Sequence, residues 1–162
     1  MSADTAQRLV IVVHGIRTRA EWFSHFRELV ESDGSIFVPA GYEFFDAFRF
    51  LCPLWTRRRP VRIVLEKIRD ALNLHRGRYS EVVMVGHSFG TYIICQVLRN
   101  YPDIRADRLL FCGGVVKATF GWPHLPNRPA HVLNEVGSRD IWPVLAKSAT
   151  WGFGSTGTFG FM

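Results

Sequence analysis

The chain has 162 residues, of which 48% are hydrophobic, 14% aromatic and 21% charged. That length holds one ordinary domain with a real core, and that apolar share excludes a disordered chain. Lys and Arg number 20 against 14 Asp and Glu, a formal charge of +6, but no finger, helix-turn-helix or RNA-recognition pattern accompanies them, so no nucleic-acid partner is expected.

Met1 to Arg8 is polar, and the apolar run that follows stops at His14. This is too short and wrongly flanked for a signal peptide, and no stretch reaches the length of a membrane span. The expected address is cytoplasmic. Leu9-Val10-Ile11-Val12-Val13, rich in β-branched residues and broken by His14-Gly15, predicts a strand buried on both faces of a parallel sheet. Glu21 to Glu31 carries Trp22, Phe23, Phe26, Leu29 and Val30 at helical spacing and is stopped by Asp33-Gly34. A second strand is expected within Tyr42 to Phe50.

Arg57, Arg58 and Arg59, with Arg62 close behind, form the one dense basic cluster. They read as a solvated turn ahead of a helix, with peripheral contact to phosphate head groups or anionic lipid as the functional alternative. Pro60 suits the first helical position. Val61, Val64, Leu65, Ile68, Ala71 and Leu72 then make one apolar stripe. Val82 to Val85 predicts a short buried strand ending at Gly86, and Thr91 to Asn100 a nearly all-apolar, central helix. Leu109 to Cys112 is another strand, ending at Gly113-Gly114. Residues 118–130 read as loop, because Pro123, Pro126 and Pro129 exclude regular structure. His131 to Val136 is a fifth strand, and Trp142-Pro143 opens a short helix. Residues 149–162 form a Gly/aromatic loop.

Cys52, Cys95 and Cys112 are far apart and lack metal-ligand or disulfide-framework spacing; the last two read as small buried hydrophobes. No metal and no organic cofactor is implied. Neither G-x-G-x-x-G nor a Walker sequence follows the first strand, which argues against a nucleotide-binding sheet.

Alternating strands and helices imply an α/β fold, a mostly parallel sheet with helices on both faces and a single domain over 1–162. Ligands of such sheets bind beyond the carboxyl ends of the strands. His14-Gly15, Gly86 to Gly90, Gly113-Gly114 and Gly137 to Asp140 all fall there. Gly86-His87-Ser88-Phe89-Gly90 is a G-x-S-x-G pentapeptide directly between a buried strand and an apolar helix. A tight turn there strains the serine and needs small residues at 86 and 90, and it lifts the hydroxyl to the sheet edge.

On these residues the chain resembles the α/β-hydrolase family, lipase- and esterase-like members in particular. Val12 to Arg17 resembles the oxyanion-loop segment, Val85 to Gly90 the nucleophile elbow, and Val136 to Asp140 the acid loop. The resemblance implies Ser88 as nucleophile, backbone N–H groups of Ile16 and Phe89 as the oxyanion hole, and Asp140 as the acid. His14 and Gly15 would support the oxyanion loop, and Gly86 and Gly90 the elbow. His87 is expected to pack away from the site. Asp140 also suits a helix N-cap, and Glu135 is the poorer alternative acid. The implied substrate is a small acyl ester, a lipid or a thioester, and Trp22-Phe23, Phe44-Phe45 or Trp151 to Phe161 either wall an acyl pocket or join the core.

The family's base is a histidine after the acid, but all six histidines (His14, His25, His75, His87, His124 and His131) precede Asp140. Three sources stay open. The first is a longer gene product of which this is the N-terminal part, lacking its last strand and histidine loop. The second is a partner chain or oligomer that supplies them, and the third is His124. A hydrolase-like interaction module without activity is the rival from another class.

Overall fold

The computed structural model describes residues 7–14, 21–42, 58–117 and 119–135, the side chains of Glu21 and Trp22 excepted. Five strands, β1 (Gln7–Val13), β2 (Ile36–Pro39), β3 (Tyr79–His87), β4 (Arg108–Cys112) and β5 (His131–Glu135), alternate with three α-helices. These are α1 (Glu21–Ser32), α2 (Arg58–Leu74) and α3 (Phe89–Asn100). The sheet order is β2-β1-β3-β4-β5, with every neighbouring pair parallel. The fold is therefore α/β, as the alternation predicted.

Leu9 to Val13 are all buried because helices cover both sides of β1. On one face Leu9, Ile11, Val13 and Met84 pack with Val64, Leu65 and Ile68 of α2 and with Ile93, Ile94 and Leu98 of α3. On the other, Val10, Val12 and Val85 meet Phe23, Phe26 and Val30 of α1. The stripe of α1 is narrower than its spacing predicted. Leu29 is 67% exposed, since a single edge of the sheet accommodates only the line through 23, 26 and 30. Phe23 belongs to this core. Gly34, at φ 75°, closes α1: the N–H of Gly34 bonds the carbonyl of Glu31 and that of Ser35 the carbonyl of Val30, the paired bonds of a Schellman cap.

The second described strand is Ile36–Pro39, and the strand expected within 42–50 falls, Tyr42 apart, outside the described residues. Ile36, Phe37 and Val38 pair with Leu9, Val10 and Ile11, and Tyr42 follows the strand without joining it. A three-residue apolar run ended by proline suffices because β2 lies at the sheet edge, where a proline is tolerated. Residues 43–50 lie outside the described residues, as do Phe44 and Phe45. Helix α2 begins at Arg58, so Pro60 falls within its first turn, where N–H groups have no partner in the helix anyway. Arg58, Arg59 and Arg62 are exposed there. The proline-rich stretch after β4 holds one turn of 3₁₀ helix, Trp122–His124, with Pro123 inside it; fixed proline φ suits such a turn. Cys95 is 1% exposed, whereas Cys112, at the end of β4, is only half-buried. Among the described residues no helix is long and apolar enough to cross a membrane.

Strand order reverses between β1 and β3: the chain steps outward from β1 to β2 on one side and from β3 to β4 and β5 on the other. The two loops leaving the carboxyl ends of β1 and β3 thus depart in opposite directions and open a crevice between them. His14 and Ser88 stand at that crevice.

Candidate active site

Ser88 links β3 to α3 with φ 53° and ψ −122°, the one positive φ at a non-glycine among the described residues. These angles are those of the first central position of a type II′ turn, which glycine dominates. Holding a serine there costs on the order of 1–3 kcal/mol, so the surroundings must enforce it, and their contacts are specific. The Ser88 N–H donates to the carbonyl of Cys112 at 3.0 Å, continuing the β3–β4 ladder by one step. Its carbonyl accepts from the Thr91 N–H at 3.1 Å and from Thr91 Oγ1 at 2.7 Å.

The flanking glycines are required by close approach. A Cβ on Gly90 would lie 2.0 Å from the carbonyl oxygen of Val13, so α3 touches the end of β1 directly. A Cβ on Gly86 would meet backbone atoms of Thr91 at 3.0–3.1 Å and Ile94 Cδ1 at 3.1 Å. Strand and helix therefore pass each other with no side chain between them.

Ser88 is half-buried, and its side chain does not cap α3. The hydroxyl is left for another use. Phe89 opens α3, so its N–H is among the first four, which no carbonyl of the same helix can reach, at the positive end of the helix dipole. Its side chain is fully buried and packs on Tyr42 (6.0 Å, edge-on) and Tyr92 (5.3 Å, stacked).

Two residues matter here beyond those the motif marks. Thr91 is 0% exposed. Its hydroxyl gives its proton to the Ser88 carbonyl and accepts the N–H of Val115 at 3.2 Å, fastening the elbow to the loop after β4. The sequence signal was a lone hydroxyl in the first turn of an apolar helix. Tyr42 is the second. Its ring stacks on His14 at 5.8 Å and meets Phe89 edge-on, so it bridges the segment after β1 and the elbow. The Tyr42 hydroxyl is buried without a hydrogen-bond partner among the described residues, and burial pushes its pKa above the usual phenol range. In the sequence it marks only the start of an expected strand, and nothing there points to this role.

His14 packs between Tyr42 and the edge of Phe23 at 6.1 Å. Gly41 makes room for it: a Cβ there would lie 2.6 Å from His14 Nε2. His87 ends β3 in register with Cys112, which is in register with Glu135. Those three side chains share the α1 side of the sheet, opposite Gly86 and Phe111. Burial, then the Glu135 carboxylate, raises the pKa of the Cys112 thiol.

The structure thus brings together Ser88, Phe89, Gly86, Gly90 and His14. Gly15, Ile16 and Asp140 lie outside the described residues. His124 is exposed on the 3₁₀ turn, and no described histidine is hydrogen-bonded to Ser88. Among the described residues no group of three or more His, Cys, Asp or Glu is placed to hold a metal ion.

The all-parallel sheet agrees with the α/β fold that the resemblance implied, and the strained serine lies between its central strand and the helix that follows. No protein-family model and no curated protein matches the chain. Among solved structures, it is similar to a protein from Xanthomonas campestris pv. campestris placed in the α/β superfamily of hydrolases. The two share 23% identity and a TM-score of 0.53 over 85% of this chain and 77% of the other. That likeness shows the fold.

Proposed function

We propose that the chain is a serine hydrolase acting on carboxylic esters, lipids or thioesters through an acyl-enzyme on Ser88. The observation that carries this reading is the backbone of Ser88, held at φ 53° by two abutting backbones and presenting a hydroxyl unused by its own helix. Such strain needs a purpose, and exposing a nucleophile at a switch point is one.

In the reaction, Ser88 Oγ adds to the carbonyl carbon while its proton passes to a base. Negative charge then grows on the former carbonyl oxygen, where the N–H groups of Phe89 and Ile16 would hold it; a pair of preorganised donors is worth several kcal/mol of barrier. Collapse expels the alcohol or thiol with a proton, and water cleaves the acyl-serine. Asp140 is the residue proposed to orient a histidine in the correct tautomer.

The second reading, a hydrolase-shaped interaction module, is favoured by one specific observation: no described histidine bonds Ser88. A fluorophosphonate probe separates the two. Stoichiometric phosphonylation mapped to Ser88, and absent from Ser88→Ala, supports the hydrolase. A folded sample that stays unlabelled overturns it in favour of the module.

A further inference from the structure

Beside α3 a cavity of about 290 Å³ is lined by Tyr92, Gln96, Arg99, Val116, Lys117 and Phe120, with Cys95 and Thr119 completing it. Among the described residues no carboxylate lines it. Val116 and Phe120 are buried, 4% and 9% exposed, and form an apolar wall with Tyr92, whereas Arg99 and Lys117 are exposed at the rim. Among the described residues neither cation is paired with a carboxylate.

The arrangement is held in place. The Arg99 guanidinium sits over the Phe120 ring, 4.6 Å from its centroid, and the Phe120 N–H closes a turn onto the Lys117 carbonyl at 3.0 Å. Trp122 buttresses the same ring at 4.6 Å. A guanidinium resting on an aromatic face keeps its N–H donors directed outward. Burial keeps the Cys95 thiol neutral, so among the described residues no anion beneath the two cations balances their charge.

We propose that this cavity binds a small ligand carrying a compact oxyanion, a phosphate or a carboxylate, on an apolar body. The oxyanion meets Arg99 and Lys117, Gln96 adds a polar contact, and the apolar body lies against Tyr92, Val116 and Phe120. The volume sits at the small end of ligand pockets, which run from about 300 Å³ upward. The site also communicates with the elbow: Val115, next to Val116, is bonded to Thr91, and Tyr92 stacks on Phe89. This assignment does not depend on hydrolytic activity.

The test is a titration of the full chain, followed by amide NMR, with phenyl phosphate, benzoate and the neutral benzyl alcohol. Phenyl phosphate or benzoate should shift the amides of Tyr92, Gln96, Lys117 and Phe120 saturably, at least tenfold more tightly than benzyl alcohol. Whichever anion binds tighter identifies phosphate or carboxylate. Lys117→Glu, at an exposed position that spares the Arg99–Phe120 contact, should weaken the anion at least tenfold, and Arg99→Gln with Lys117→Gln should remove saturation. Raised salt should weaken binding as well. Equal affinity for benzyl alcohol, unchanged affinity in Lys117→Glu, or the absence of saturable shifts at these four amides would overturn the site.

Discussion

The two ends of the sheet are fastened by opposite means. At the end where the strands begin, one aspartate, through side chain and backbone, and two ion pairs do the work. The Asp107 carboxylate accepts the Val82 N–H at 2.7 Å, its N–H reaches the Val82 carbonyl at 2.8 Å, and its carbonyl accepts from Ala130 at 2.9 Å. One residue thereby ties the starts of β3, β4 and β5. Arg108 pairs with Glu81 and Arg8 with Asp33 nearby. At the other end, where the strands stop, the fastening is the absence of side chains at Gly86 and Gly90 and one buried hydroxyl. Exposed ion pairs loosen by small steps, because water and salt replace them. Backbone-to-backbone contact has no such substitute, so the elbow end is the one that tolerates no added side chain.

That contrast is sharpened or broken by a graded series of variants. The largest effect belongs to Gly90→Ala, whose Cβ at 2.0 Å from the Val13 oxygen must push α3 off β1. A loss of about 3 kcal/mol or more is expected in urea unfolding. A mild change would show that the contact is not tight. Thr91→Val keeps the shape but leaves the buried Val115 N–H orphaned and takes one bond from the Ser88 carbonyl; it should cost about 2 kcal/mol. Thr91→Ser should recover most of that. At the opposite end, Asp107→Ala should cost about 1 kcal/mol, the worth of a partly exposed charge-assisted bond.

Ser88→Gly reverses the sign. It relieves the II′ strain and should raise stability by about 1 kcal/mol, net of glycine's extra chain entropy, while abolishing fluorophosphonate labelling. A destabilised Ser88→Gly would refute the claim of stored strain. Smallest of all, Glu81→Gln should change stability by about 0.5 kcal/mol or less, and less still in high salt.

How far this was legible from sequence follows from burial. Leu9 to Val13, Val82 to Val85 and Leu109 to Phe111 were readable as strands because central parallel strands need apolar residues on both faces. Ile36 to Val38 escaped because an edge strand needs only a few such residues. Gly86, Ser88 and Gly90 were readable since a tight strand-to-helix turn dictates residue size. Thr91 and Tyr42 were not, because their roles arise from partners distant in sequence, Val115 and His14. Leu29 followed the helical period and still faces solvent, since period says which side a residue occupies and not how wide the facing sheet is.

An inner seam of the sheet, β1 against β3, joins strands with α1, β2 and α2 between them in the chain. During synthesis β1 therefore emerges as an apolar ribbon whose principal neighbour does not yet exist, and its long-range closure is intrinsically slow. Until β3 arrives, that ribbon keeps an unpaired apolar edge, the kind of surface that chaperones capture or that pairs with another copy.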